Sequence, residues 1–389
     1  MRHMSELKSD NTSPVVVIMG AGNFGGWAHS YCVRKFPQKE ICFCDNDKEK
    51  QGTEFRNCMI YSPERASELF PEAIYIVANL RHADEMRRQL VRSGLREEQI
   101  FEFHRDNASE FEIEDMWEFS RAEYYRKTGK WIHKDSLNTF TEKMQYAKVY
   151  LADERKSTLT DKYLVRQYVK EKIGDTYLVP LLGKYESFEE IDFDKLPSSF
   201  VLKTNHGCDM NYIVRDKKQM DIGRMEQDFQ DWLSRDYSKS CCELHYRDIK
   251  PCILAEQFIE AFAEGETFDY KFFCFDGKVR MIMVVKNIHQ GNAARCFYDA
   301  GYHFIPCELN DGVPMPDTPF EKPDCLAEMI RIAEILSEGM DQVRVDLYAP
   351  DNKIYFGELT FTSWSGYVNI QPEEVDQKLG SYWKMEVQK

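Results

Sequence analysis

Basic character is what this 389-residue sequence has least of: 66 Asp and Glu face 51 Lys and Arg, a formal net charge of -15. A chain of that sign repels polyanions at long range, which excludes a nucleic-acid-coating role. A local group of lysines can still hold a phosphorylated small molecule. Metal-binding cysteine pairs are missing too: none of the 12 cysteines stands as Cys-x-x-Cys, and the nearest pairs are Cys42/Cys44 and Cys241/Cys242. Scattered thiols of this kind predict a reduced, cytoplasmic protein. No export signal is expected, since the opening MRHMSELKSDNTSP is polar and reads as a disordered segment over 1–14. The uncharged stretch 14–33 is broken by glycines in a strand-turn-helix pattern, which argues against a membrane span. Internal repeats, low-complexity tracts and a Gly-x-x-x-x-Gly-Lys-Ser/Thr phosphate loop are all absent from the sequence.

What is present is a change of texture along the chain. The apolar runs VVVIMG, EICFCD and AIYIVA alternate with NFGGWAHSYCVRKF, SPERASELF and RHADEMRRQLVRSG, which carry helix spacing or helix-start residues. That order predicts a Rossmann-like parallel α/β domain over 15–109. A charged helical connector is expected over 110–156, and an α+β domain with long antiparallel strands over 157–389.

The motif GAGNFG follows the first strand and opens a helix, and Asp45 closes the second strand. Glycine there lets the backbone approach a diphosphate, the helix N-terminus offers unpaired N–H groups, and the acid can accept from ribose hydroxyls. Gly20, Gly22, Asn23, Phe24, Gly25 and Asp45 are therefore candidate contacts to a nucleotide or nucleotide sugar; the plain alternative is a tight turn. Tyr168 and Lys172 form a Tyr-x-x-x-Lys outside this domain and read as one helix face.

Two hairpins carry the remaining polar pattern. In QVRVDLYAPDNKIYFGELTFT an odd-length loop around 350–352 sets Arg344 opposite Glu358 with Asp346 beside them. Val343, Val345, Leu347, Tyr355, Leu359 and Phe361 then face a core, while Tyr348, Ile354 and Phe356 join the polar face. The polar face is either a surface ion-pair cluster or an oxygen-ligand site for Mg²⁺. In TFDYKFFCFDGKVRMIMVVK the Asp276-Gly277 turn pairs Phe275 with Lys278 and Lys271 with Ile282. Asp269, Lys271, Lys278, Arg280 and Lys286 then form one stripe, serving solvation or a polyphosphate.

Lys162 in TDKYLVRQYV, Lys203 before NHGCDMN, ILAEQF, DYKFFCF, RVDLY and FGELTFTSWSG stand in an order that resembles the TupA-like ATP-grasp family of teichuronopeptide and surface-polysaccharide synthesis. The resemblance covers about two thirds of the chain. It implies an ATP-grasp fold and an ADP-forming carboxylate–amine ligase that uses ATP and Mg²⁺. Lys162 and Lys203 would contact the phosphates, with His206, Gly207 and the rest of the 206–211 loop closing over them. Glu256, Gln257 and Phe258 would form the adenine hinge, and Asp269 or Glu266 would hold the ribose. Asp346 and Glu358 would be the metal ligands, with Arg344 and Lys271 as catalytic cations. The sequence departs from the family pattern at Thr360, where Asn is usual, and at Cys208-Asp209, where Ser-Gly is usual. The first domain also resembles the small Rossmann-like domain of some bacterial sugar-nucleotide acetyltransferases, which implies a nucleotide-sugar site there.

The expected reaction joins an amine or amino acid to a sugar carboxylate, a uronic acid of a capsule or other surface polysaccharide. The alternatives are a catalytically altered nucleotide-sugar-binding regulator and an NAD-dependent oxidoreductase. A homo-oligomer is compatible with the sequence, which does not specify one.

Overall fold

The computed structural model describes residues 2–3, 7, 13–79, 82–103, 113–260, 267–287, 291–385 and 387. The chain divides into two compact units, Met1–Trp131 and Ile132–Lys389. Among the described residues no helix is long and apolar enough to cross a membrane.

The first unit runs β1 (Arg2–His3), β2 (Val15–Met19), α1 (Asn23–Lys35), β3 (Glu40–Cys44), β4 (Glu54–Phe55), β5 (Cys58–Tyr61), α2 (Pro63–Leu69), β6 (Ile74–Val77), α3 (Ala83–Arg92), β7 (Ile100–Glu102) and α4 (Ile113–Thr128). Its seven-stranded sheet has the order β1-β7-β6-β2-β3-β5-β4, parallel except for the β4–β5 pair. All four residues of β6 are buried, as a parallel strand covered on both faces requires. The connections progress one way from β2 to β5 and then restart at β6 on the other side of β2. Such a reversal opens a crevice at the carboxyl ends of β2 and β6. The start of α2 is fixed by Ser62, whose hydroxyl accepts from the Arg65 N–H at 3.1 Å, and by Pro63 in its first turn.

Part of the opening segment differs from expectation. Arg2–His3 pairs in parallel with Phe101–Glu102, and Leu7 is buried. The stretch expected as a connector is shared between the two units. Phe119 of α4 stacks on Trp27 of α1 with centroids 4.1 Å apart, closing the first unit.

The second unit runs α5 (Phe140–Tyr150), α6 (Glu154–Thr160), α7 (Val165–Ile173), β8 (Leu181–Tyr185), β9 (Phe200–Thr204), β10 (Asn211–Val214), α8 (Ile222–Ser234), α9 (Ser238–Cys241), β11 (Ile253–Gln257), β12 (Phe268–Phe275), β13 (Lys278–Lys286), β14 (Ala294–Tyr298), β15 (Phe304–Ile305), β16 (Glu308–Leu309), α10 (Leu326–Leu336), β17 (Gln342–Tyr348), β18 (Tyr355–Thr360), β19 (Ile370–Gln371) and α11 (Glu373–Tyr382). Two antiparallel sheets dominate: β10-β9-β11-β8, and β15-β14-β13-β12-β17-β18. Phe200, Leu202, Ile253 and Ala255 of the smaller sheet bury against Met225 and Phe229 of α8. One face of the larger sheet packs on α7 and α10. The other packs on Phe140, Met144 and Ala147 of α5 and on Leu379 of α11. As expected for one helix face, the Tyr168 hydroxyl donates to Leu336 O at 2.9 Å, and Lys172 pairs with Glu338 at 2.8 Å.

Both long hairpins contain a bulge that the sequence reading missed. In β17–β18 the register is Arg344↔Thr360 and Asp346↔Glu358, and then Leu347↔Phe356, which leaves Gly357 as the extra residue. Arg344 is therefore not opposite Glu358. The shift also turns Ile354 and Phe356 into this core cluster, while Tyr355 is buried outside it. In β12–β13 the turn pairing Phe275↔Lys278 holds, but an extra residue at Arg280 makes the partners Lys271↔Met283 and Phe272↔Ile282. The expected basic stripe is dispersed. Lys278 pairs with Glu334 of α10 at 2.8 Å, Arg280 lies over the Tyr382 ring of α11, and Lys286 lies over Phe268.

Candidate functional site

Strand alternation sends Phe200, Leu202 and Thr204 to the buried side of β9 and leaves Lys203 on the other side. There its ammonium lies 2.6 Å from Glu256 of β11. Arg166 of α7 reaches the second Glu256 oxygen at 3.3 Å and donates to Val179 O at 2.8 Å. Glu256 is buried, so removing both cations would leave a desolvated carboxylate. The neighbouring hinge residues are occupied within the protein. The Gln257 N–H donates to Pro180 O at 2.9 Å, and Phe258 lies under the Arg215 guanidinium.

The larger sheet gathers a second group. Arg344 Nε and Nη2 each lie 2.7 Å from an oxygen of Asp346, and Nη2 also reaches Glu358 at 3.2 Å and the Thr360 hydroxyl at 3.0 Å. Nη1 donates to Ser363 at 3.0 Å. Lys271 adds a contact of 2.6 Å to Asp346 and stands 3.9 Å from Asp269. Burial pushes the Asp346 carboxyl up, but Arg344 and Lys271 outweigh it and hold the group below the ordinary carboxylate range. Burial, with the charges of Asp269, Asp346 and Glu358, holds the Tyr348 phenol well above its usual range. Glu266 lies outside the described residues.

Lys162 stands three residues before α7. Its ammonium donates to Gly207 O, and burial lowers its pKa while the charge of Glu358 opposes and that of Lys203 adds to the shift. The 206–211 loop beside it has irregular backbone: Gly207 and Asp209 take φ of 92° and 58°. His206 is 2 % exposed, and burial holds its imidazole below its usual pKa. Cys208 is exposed, with its sulfur 2.6 Å from the Tyr237 hydroxyl.

In the first unit, Gly20 (φ 113°) and Gly25 permit close backbone packing. A Cβ on Gly20 would stand 2.9 Å from Ala78 O, and one on Gly25 would stand 1.7 Å from Gly20 O. A Cβ on Gly22 would meet nothing within 4 Å. Gly22 is the member of the motif whose missing side chain leaves open space above the loop. Asp45 turns back onto this loop, accepting from the Ala21 N–H at 2.7 Å and the Asp47 N–H at 2.9 Å. Phe24 packs edge-on against Trp27 and Phe103. That makes it part of the helix packing, while the side chain of Asn23 lies outside the described residues.

The sequence reading did not single out Arg166 or Ser363, and it placed Tyr348 on the polar face without a role. Arg166 stands one helical turn after Lys162, and Ser363 follows Thr360 at the end of β18, so spacing from the lysine and the acid was the available signal.

Among solved structures, D-alanine–D-alanine ligase from Bacillus anthracis is similar at 14% identity, covering 96% of this chain and 96% of that chain, with a TM-score of 0.35. N5-carboxyaminoimidazole synthase from Aspergillus clavatus is similar at 11% identity over 90% of this chain and 70% of that chain, with a TM-score of 0.31. The ATP-grasp ligase PsnB is similar at 11% identity over 91% of each chain, with a TM-score of 0.29. No curated protein matches the chain. The family model described as TupA-like ATP-grasp matches residues 142–384. That match spans most of the second unit and more than half of the sequence, and the chain belongs to the TupA-like ATP-grasp family.

Proposed function

We propose that the chain is a cytoplasmic, ADP-forming ligase that joins an amine or amino acid to the carboxylate of a sugar. The sugar would be a uronic acid of a capsule or other surface polysaccharide, or its nucleotide-linked precursor. The observation that carries the reading is the convergence of Asp346, Glu358 and Thr360 on one Arg344 nitrogen, with Lys271 at the same carboxylate. The open space above Gly22 supports the sugar-nucleotide part.

A carboxylate resists attack by an amine because its carbon is electron-rich. Transfer of the γ-phosphoryl group of ATP to a carboxylate oxygen gives ADP and an acyl phosphate, and the amine then expels phosphate through a tetrahedral intermediate. Lys162 and Lys203 are assigned to the phosphates, which would replace Glu256 as the partner of Lys203. The 206–211 loop covers them, Glu256, Gln257 and Phe258 border the adenine, and Asp269 lies toward the ribose. Arg344 offsets the charge on the tetrahedral oxygen.

Asp346, Glu358 and the Thr360 hydroxyl form an all-oxygen donor set of the kind Mg²⁺ takes, and the ion would enter as Arg344 Nη2, which the three oxygens hold, turns to the substrate. Among the described residues no three His, Cys, Asp or Glu side chains gather as a metal cage. A partial protein shell suits an ion that shares its coordination with water and phosphate. When bound, Mg²⁺ neutralises phosphate charge.

The test is ADP release while nucleotide-linked uronates are screened against amines. ADP formation that needs both partners is expected. ADP formation indifferent to added amine across the panel, or Mg·ATP leaving the melting temperature unchanged, overturns the reading.

A further inference from the structure

We infer that Asn205 and Asp161 are positioning residues that clamp Lys162 to the 206–211 loop, so that the lysine and the loop meet a polyphosphate as one body. The inference rests on the ligase reading given above. It is carried by a hydrogen-bond network centred on one side chain that is 1 % exposed.

The Asn205 amide donates to Asp161 Oδ2 and to Lys250 O, both at 3.0 Å, and its oxygen accepts from the Cys252 N–H at 2.8 Å. Its own N–H donates to Cys252 O at 3.1 Å, and its carbonyl accepts from the Lys162 N–H at 3.0 Å. Asp161 is also buried, and its other oxygen accepts from the Tyr163 N–H at 2.7 Å and the Leu164 N–H at 3.3 Å. Three segments far apart in sequence, 161–164, 204–207 and 250–252, are thus joined through one amide.

The geometry says more than that a loop is anchored. Both ends of Lys162 finish on the same short segment: its backbone on Asn205 and its ammonium on Gly207 O. Movement of 205–207 therefore carries the lysine with it. Lys203 is tied separately, through Glu256 and Arg166, so the two cations are placed by independent networks. With both amide hydrogens and the oxygen of Asn205 engaged, a substitution at this position leaves at least one buried polar group unmatched.

Asn205→Asp sets a second carboxylate against Asp161, and adding Asp161→Asn exchanges the two groups and restores a donor–acceptor pair between them. The readouts are calorimetric affinity of the full chain for magnesium adenylyl imidodiphosphate, and melting without ligand. Asn205→Asp is expected to weaken affinity about tenfold, and the exchanged pair to recover a measurable part of that loss, since its 161–205 pair is restored while Lys250 O stays unmatched. Asp161→Asn alone keeps an oxygen for the Tyr163 N–H and serves if Asn205→Asp does not fold. Parent-like affinity in the folded single variant overturns the clamp. So does an exchanged pair that regains its melting temperature but not its affinity, which would show a purely structural role. A parent that does not bind the analogue overturns the ligase reading itself, a separate result from Lys162→Ala weakening binding while the clamp variants do not.

Discussion

Two glycine-bearing loops, one in each unit, expose opposite kinds of group. The 20–25 loop offers main chain: Gly22 faces open space, and the acid expected to reach outward, Asp45, bonds to the loop's own Ala21 N–H at 2.7 Å. In the 206–211 loop a Cβ on Gly207 would fall 2.5 Å from the Tyr237 ring, so glycine there serves packing. The cations around it, Lys162 and Lys203, come from other elements and are held by a carbonyl and a carboxylate. A main-chain site is written within a few consecutive residues. A side-chain site exists only once the sheets have brought distant residues together.

Breaking the side-chain site at its acids should have the largest effect. Glu358→Gln should lower turnover about a hundredfold or more by weakening Mg²⁺ placement, with little change in melting, because Glu358 is 37 % exposed. ADP release measured at limiting and saturating Mg²⁺ checks this, and parent-like rates at limiting Mg²⁺ would remove Glu358 from the metal site. Lys203→Ala should weaken Mg·ATP binding about ten- to hundredfold by removing a charge-assisted contact, while Arg166 continues to hold Glu256. Calorimetry giving an unchanged affinity would return Lys203 to a purely structural ion pair.

The main-chain loop should respond to bulk instead of charge. Gly22→Val has room for its side chain within the fold, so the expected result is about a tenfold or greater loss of uridine-diphosphate-sugar affinity in the full chain with Mg·ATP affinity unchanged. A parallel loss of Mg·ATP affinity would mean that the two loops do not act independently. Tighter binding of NAD than of any nucleotide sugar would favour the oxidoreductase alternative for this unit.

The smallest expected effect sharpens the comparison through acid stability. Burial, helped by Arg56, lowers the His29 pKa to about 4 in the first unit; burial, helped by Lys156 and Lys148, lowers that of His245 to about 3 in the second. Each imidazole is neutral when folded and takes a proton more readily when unfolded. Their contribution to stability is therefore present above about pH 6.5 and is lost as pH falls from there toward 4 and 3. Melting should drop by a few degrees between pH 7 and 5, and His29→Gln or His245→Gln should flatten that slope. An unchanged slope in both variants would assign the acid sensitivity to other groups.

Much of the first unit was legible because its signals are local. Continuous apolar runs gave β2, β3 and β6, and Ser62-Pro63 marked the start of α2. The β4–β5 hairpin was not, since it turns through left-handed Arg56 and Asn57 and arginine carries no turn signal. In the second unit the residues of the acidic face were legible by type and spacing, but their register was not. A single unpaired residue at Gly357 or Arg280 changes which side chains share a face, and alternation alone cannot reveal it. Arg166 of α7 and Glu256 of β11, 90 positions apart, meet only once the unit has folded.

Gly357 works as a phase shifter for β18. On its turn side, even-numbered Ile354 and Phe356 point into the apolar layer; beyond it, odd-numbered Leu359 takes that direction, and Glu358 and Thr360 are released to the polar side. A Cβ there would stand 2.7 Å from the Tyr348 ring and 3.1 Å from Asp346 O, so even one methyl group would press on the strand that carries the first acid. One small residue thereby lets the same ribbon serve as core wall at one end and as a carboxylate bearing at the other.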